Sequence, residues 1–281
     1  MAIFRVSLVL ATTLLLSCLA HASDSDRDSR PLRAEEQKAF FPLICQKRYL
    51  RENNCAGVIG YPDVSPGTGT VSLILNAIAY GSFTQANADQ AYVTYAAPFE
   101  PHVDNFGGGI LFARAGGKWK LVRWYPGGQM DRCLALPAAD VQNMLCLSGY
   151  TGQGETDSSV WLQHVPPTND RDAQAKVLTG VLKAQDAREA GGTEPLGNYQ
   201  CTMKRAKGEA ILLSIDDLKR SKAPGFFAQS SVSYASARDA NAACRKNDFA
   251  NVEETKGVVR YKLQGAKVIG VGPAKFAATD Y

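Results

Sequence analysis

The chain has 281 residues, with 31 Lys and Arg against 27 Asp and Glu and a formal net charge of +4. So even a balance gives no reason to expect nucleic acid or an anionic membrane as partner. The length suffices for one large domain or two small ones, and seven cysteines point away from a reducing cytosol.

Residues 1–22 read as an export signal. Arg5 supplies a positive start, Val6 to Ala20 is an apolar run, and Ala20-His21-Ala22 offers small residues for cleavage before Ser23. The run is shorter than a spanning helix and acids follow it, which disfavours a membrane anchor. Cys18 offers a lipoprotein alternative, ranked lower because Leu16 is bulky for that motif. No later stretch is apolar enough to span a bilayer, so the expected product is periplasmic or secreted, carries a charge of +3, and has no transmembrane segment.

Six cysteines remain: Cys45, Cys55, Cys133, Cys146, Cys201 and Cys244. Sequence alone leaves their pairing open. Loop closure favours near neighbours, which would give 45–55, 133–146 and 201–244. No CxxC or CxxH spacing supports zinc instead.

Residues 23–33 read as a disordered, charged arm. Asp24, Asp26, Asp28 and Glu35 imitate the spacing of a calcium loop, but Ser29 stands where glycine is needed, so no metal is expected. Residues 33–54 read as helical around Pro42, with Phe40, Phe41, Leu43, Ile44 and Leu50 buried. From residue 70 short β-branched and aromatic runs alternate with turns, which predicts a mainly β (α+β overall) fold of antiparallel meander sheets. Gly116-Gly117 marks a hairpin.

The stretch 169–190 reads as one amphipathic helix, with Val177, Leu178, Val181 and Leu182 at helical spacing and Gly191-Gly192 as its stop. It would lie in a linker, 167–192, between a β-rich half at 34–166 with its leading helix and a second at 193–281. Residues 239–247 read as a short helix, or equally as a loop held by Cys244. Segments 81–95, 134–147 and 211–234 share a strand, polar gap and strand order. That order suggests propeller-like blades, though three are fewer than the four a closed ring needs.

Three places could carry chemistry. Glu100, His102 and Asp104 alternate, so an extended backbone would aim them one way as metal ligands or an acid–base group. Pro98, Pro101 and the Gly107-Gly108-Gly109 triplet read instead as a turn into a strand. In the strand 118–125, strict alternation puts Trp119, Leu121, Arg123 and Tyr125 on one face and Trp124 on the other. An exposed indole among lysines would suit a glycan, whereas two covered indoles would be ordinary packing. Gly-rich 148–155 could cradle an anion but lacks nucleotide-binding spacing. Basic 203–208 and 218–222 read as solvated turns.

No GxSxG, HExxH, CxxC or SxxK occurs. The residues therefore favour a non-enzymatic envelope module that binds a protein or glycan, with no cofactor. The alternative is an exported hydrolase, metal-dependent or not, built on Glu100, His102 and Asp104.

Overall fold

A computed structural model describes residues 27–49, 54–61, 70–97, 107–126, 132–137, 140–152, 155–166, 178–186, 209–246 and 252–276. Short apolar runs joined by short turns pair with their sequence neighbours, and the result is three successive four-stranded antiparallel meanders. The first joins β5 (Ile74–Gly81), β6 (Gln90–Ala96), β7 (Gly107–Ala115) and β8 (Lys118–Pro126). The second joins β9 (Arg132–Ala135), β10 (Met144–Gly152), β11 (Glu155–Gln163) and β12 (Leu178–Asp186). The third joins β13 (Glu209–Arg220), β14 (Ala228–Ser236), β15 (Thr255–Gln264) and β16 (Lys267–Val271). The faint repeat in the sequence falls on the first hairpin of each meander.

Smaller pieces complete the sheets. β1 (Arg30–Pro31) joins the edge of β5, and β17 (Lys275–Phe276) runs parallel to β13. A separate small sheet holds β2 (Cys45–Tyr49), β3 (Asn54–Val58) and β4 (Thr70–Ser72). The two helices among the described residues are α1 (Ala34–Ile44) and α2 (Ala237–Lys246); α2 falls where residues 239–247 read as helical.

The cores show how the meanders stack. Phe40, Phe41 and Ile44 of α1 pack with Val93, Phe112 and Trp124 on one face of the first meander. Its other face sets Tyr92, Leu111 and Tyr125 against Met144 and Cys146 of the second. The second meander's far face sets Leu145 and Val160 against Leu212, Ile215 and Tyr261 of the third. The middle layer is thus covered on both sides, which is why β10 opens with the unbroken apolar run Met144–Leu147.

The third sheet has to curl. Flat, its edges β16 and β17 would lie four strand spacings apart, about 19 Å. Only residues 272–274 separate Val271 from Lys275, and four Cα steps reach at most about 15 Å. Register shifts on β13 at Leu212/Ser214 and Ile215/Asp217 supply the bending, and β13 crosses β9, β10, β11 and β12 of the second sheet.

Three expectations are corrected. Residues 178–186 are strand β12 rather than helix, paired with β11 from Thr156↔Asp186 to Gln163↔Leu178. A spacing of four puts Leu178 and Leu182 on one face of a helix and equally of a strand, so the period misled. β12 also belongs to the second sheet, and the core it shares with β13 runs across the expected linker. The first helix ends at Ile44, because Cys45 leaves it to pair with Val58 and bond Cys55; Leu50 lies outside the described residues.

Thirdly, residues 27–33 are no solvated arm. Asp28 accepts from the Ala135 N–H at 2.8 Å and from Arg220 Nε at 2.9 Å. The Ser29 N–H reaches the Cys133 carbonyl at 2.8 Å, and Ser29 Oγ accepts from the Cys133 N–H at 2.7 Å. With β1 on β5, this strap touches the first strand of every meander. Asp28 of the calcium-like pattern is engaged by Arg220, while Asp24 and Asp26 lie outside the described residues.

The strap is joined to α1 by a half-buried ion pair. Glu36 Oε1 accepts from Arg30 at 2.6 Å and from the Tyr80 hydroxyl at 2.8 Å, and its Oε2 caps the Arg33 N–H at 2.9 Å. The Arg30 hydrogen bond, helped by those two donors, holds the Glu36 carboxyl down at about 2, while burial and Glu36 push the Tyr80 phenol up to about 12. A depressed carboxylate stabilises the fold above its unfolded value of 4.5 and loses that contribution as pH falls through its folded value. Between pH 5 and pH 2 the wild type should therefore lose about 2 kcal/mol more than Glu36→Gln, after allowance for solvent at Arg30. Urea titrations of both proteins across that range would show it; parallel pH curves would contradict the assignment.

Candidate ligand-binding groove

Glu100, His102 and Asp104 lie outside the described residues. The tryptophan strand is described, and its rings are occupied. Trp124 is 1% exposed, donates its indole N–H to the Ile59 carbonyl at 2.8 Å, and meets Tyr61 and Tyr95 edge-on. Tyr125, equally buried, donates its hydroxyl to the Pro166 carbonyl at 3.3 Å; burial pushes its phenol up to about 12. Trp119 is half-buried between Phe40 and Tyr80, with the Arg114 guanidinium 4.9 Å from its ring.

Strict alternation fails on this strand because β8 carries a bulge. Leu111 pairs with Arg123 and Phe112 with Leu121, which leaves Val122 unmatched. Trp119, Leu121 and Trp124 consequently share the core beneath α1, while Tyr125 and Val122 face the second sheet.

The bridges Cys45–Cys55 and Cys133–Cys146 are formed. Each closes a short loop, which on chain-entropy grounds contributes about 3 kcal/mol. Cys201, and with it the third expected bridge to Cys244, lies outside the described residues, as do residues 203–208. Ser148–Gly152 and Glu155 form paired ends of β10 and β11, so the Gly-rich stretch is a hairpin end. In the basic stretch 218–222, Leu218 is buried and Arg220 holds Asp28. Among the described residues no three His, Cys, Asp or Glu side chains come together as a metal site.

What the sequence did not point to is a groove of about 530 Å³ at the mouth of the curled third sheet. Val259, Val268 and Phe276 form one wall, and Val181 and Leu182 of β12 form the other. Three glycines, Gly180, Gly270 and Gly272, also border it. At two of them a side chain would be crowded. A Cβ on Gly270 would lie 3.1 Å from a Val259 methyl, and one on Gly272 would lie 2.6 Å from the Phe276 ring. The wall is therefore bare backbone where β16 meets the groove.

Two sheet edges flank this opening. Among the described residues β12 pairs only with β11, and β16 only with β15. Such edges offer N–H and C=O groups to an added chain. The lining's sole ionisable side chain is Lys275, and its other side chains are aliphatic apart from the Phe276 ring. The alternating glycines of "VIGVG" at residues 268–272 were the one sequence signal of a strand face without side chains.

No protein-family model matches the chain, and comparison with curated proteins and with solved structures finds no similar one.

Proposed function

We propose that this disulfide-stabilised, β-rich chain is an exported binding protein of the cell envelope, with the groove between β12 and β15–β17 as its recognition surface. The observation that carries the reading is the groove itself, lined by aliphatic side chains and bare backbone and bordered by open strand edges. Apolar concave sites of 300–1,000 Å³ with few polar groups are the usual form of a small-ligand site. Export is supported by the leader-like residues 1–22 and by the even set of cysteines that remains when they are removed. The filled aromatic strand argues against glycan stacking as the mode of recognition.

Expression of the full chain in a host with an oxidising export route tests this. The protein recovered outside the cytosol should begin at Ser23 and, by intact mass without reductant, carry its six cysteines fully oxidised. Retention in the cytosol with residues 1–22 attached and free thiols would refute the reading.

A further inference from the structure

We propose that the chain has a second binding surface, separate from the groove. It is the outer face of the third sheet, where Arg260, Lys262 and Lys267 hold a linear acidic polysaccharide laid along β15.

The strand registers sort the side chains between two faces. Tyr261 stands opposite Ala228 and Val259 opposite Ser230, and all four are buried on the inner face. The residues between them point the other way. A row of Lys219, Gln229, Arg260 and Val271 crosses that outer face, followed by Lys262 opposite Ile269 and Gln264 opposite Lys267. Arg260, Lys262, Gln264 and Lys267 are all exposed. The α2 helix packs on β13 and β14, so it leaves this end of the sheet open.

Charge is concentrated there. Strands β14, β15 and β16 carry Lys256, Arg260, Lys262 and Lys267 and no Asp or Glu. On β13 the Asp217 carboxylate is engaged by Lys219 at 2.7 Å. Glu253 and Glu254 precede Lys256, so the positive field is strongest toward Arg260, Lys262 and Lys267. Among the described residues no ion pair engages these three. Arg260 and Lys262 are about 7 Å apart along β15, and Lys267 lies diagonally about 7–8 Å from Lys262. Cations repeated at that spacing, in a chain close to neutral overall, match an anion whose charges also repeat.

Curvature and side-chain chemistry select among polyanions. The sheet curls around its inner face, so the outer face is convex. A flat bilayer would meet it only at the crest, whereas a linear polymer can follow β15 along its length. The outer face of β14–β16 has no aromatic ring, so it lacks both the usual membrane-interface anchors and a platform for nucleobases. Gln229, Ser231 and Gln264 stand among the cations and can exchange hydrogen bonds with sugar hydroxyls. The Arg260 guanidinium can grip a carboxylate through two N–H groups. Recognition of this kind works through charge and hydrogen bonds, without ring stacking.

The test titrates the oxidised chain from Ser23 onward with short alginate oligosaccharides, a polyuronate, and with dextran fragments of equal length as the uncharged match. Alginate should bind saturably at about 0.05 M salt and weaken at least about tenfold by about 0.3 M, while dextran does not bind. Arg260→Glu/Lys262→Glu should lower alginate affinity by at least about tenfold. Lys118→Glu/Lys120→Glu makes the same change in net charge on exposed side chains of β8 and should stay within about twofold of the wild type. Both variants should melt within a few degrees of it. Arg260→Gln/Lys262→Gln removes only charge, and should also weaken alginate if the glutamates disturb the hairpin.

Absence of saturable alginate binding by the wild type would overturn the proposal. So would equal losses in the two glutamate variants, which would leave net charge alone as the cause, or unchanged binding by a well-folded variant at Arg260 and Lys262. Tighter binding to phosphatidylglycerol vesicles or to oligothymidylate than to alginate would overturn it as well, in favour of a membrane or a nucleic acid.

Discussion

Replacing Trp124 with alanine is expected to lower the unfolding free energy by about 4–5 kcal/mol, among the largest effects available to one substitution in this chain. The indole is fully covered, sits edge-on to Tyr61 and Tyr95, and satisfies the Ile59 carbonyl. Alanine leaves a cavity beneath α1 and strands that carbonyl. Trp124→Phe keeps most of the packing and should cost about 1–3 kcal/mol, chiefly the missing hydrogen bond. Urea unfolding of the two variants would separate packing from polarity, and equal losses would show that the cavity contributes little.

Gly109→Ala should be nearly as damaging, at about 3–4 kcal/mol, though it adds a single methyl group. Gly109 lies on β7 opposite Thr94 and Tyr125, and the Tyr92 ring crosses directly over it. A Cβ there would fall 1.6 Å from the Tyr92 hydroxyl oxygen and 1.9 Å from its Cζ. Tyr92 has little room to retreat: it is buried between the first two sheets and hydrogen-bonded to Gln163, and burial drives its phenol far above the ordinary value. In a Tyr92→Ala background the same glycine substitution should cost less than about 1 kcal/mol, because the conflict is pairwise. An undiminished cost there would place the strain in the backbone instead.

These two positions show what the sequence could and could not say. The glycine triplet 107–109 looked like the turn before a strand, yet all three residues are inside β7; the need for bare backbone at Gly109 comes from Tyr92, and at Gly108 from the Tyr125 carbonyl of the neighbouring strand. The β7–β8 hairpin was legible because its requirement is local: Gly116 and Gly117 adopt φ of 59° and 76°. Meander topology was legible for the same reason, and so were the bridges 45–55 and 133–146, which near-neighbour closure favours. The bulge that swings Trp119 and Trp124 into one core depends on the partner strand, and no period within β8 reveals it. The groove was least legible, because β12 and β16 meet only after the third sheet has curled.

The strap has a consequence for the order in which the chain can finish folding. Asp28 leaves the ribosome early, but Arg220, its partner, follows 192 residues later. The bonds that cinch the three meanders together close only when nearly the whole polypeptide has been made. Until then each meander can assemble on its own local contacts while the leading end stays unfastened. If the chain is threaded through a translocon, its first residues arrive on the far side unable to lock, and the clasp shuts only after the third meander has followed them across.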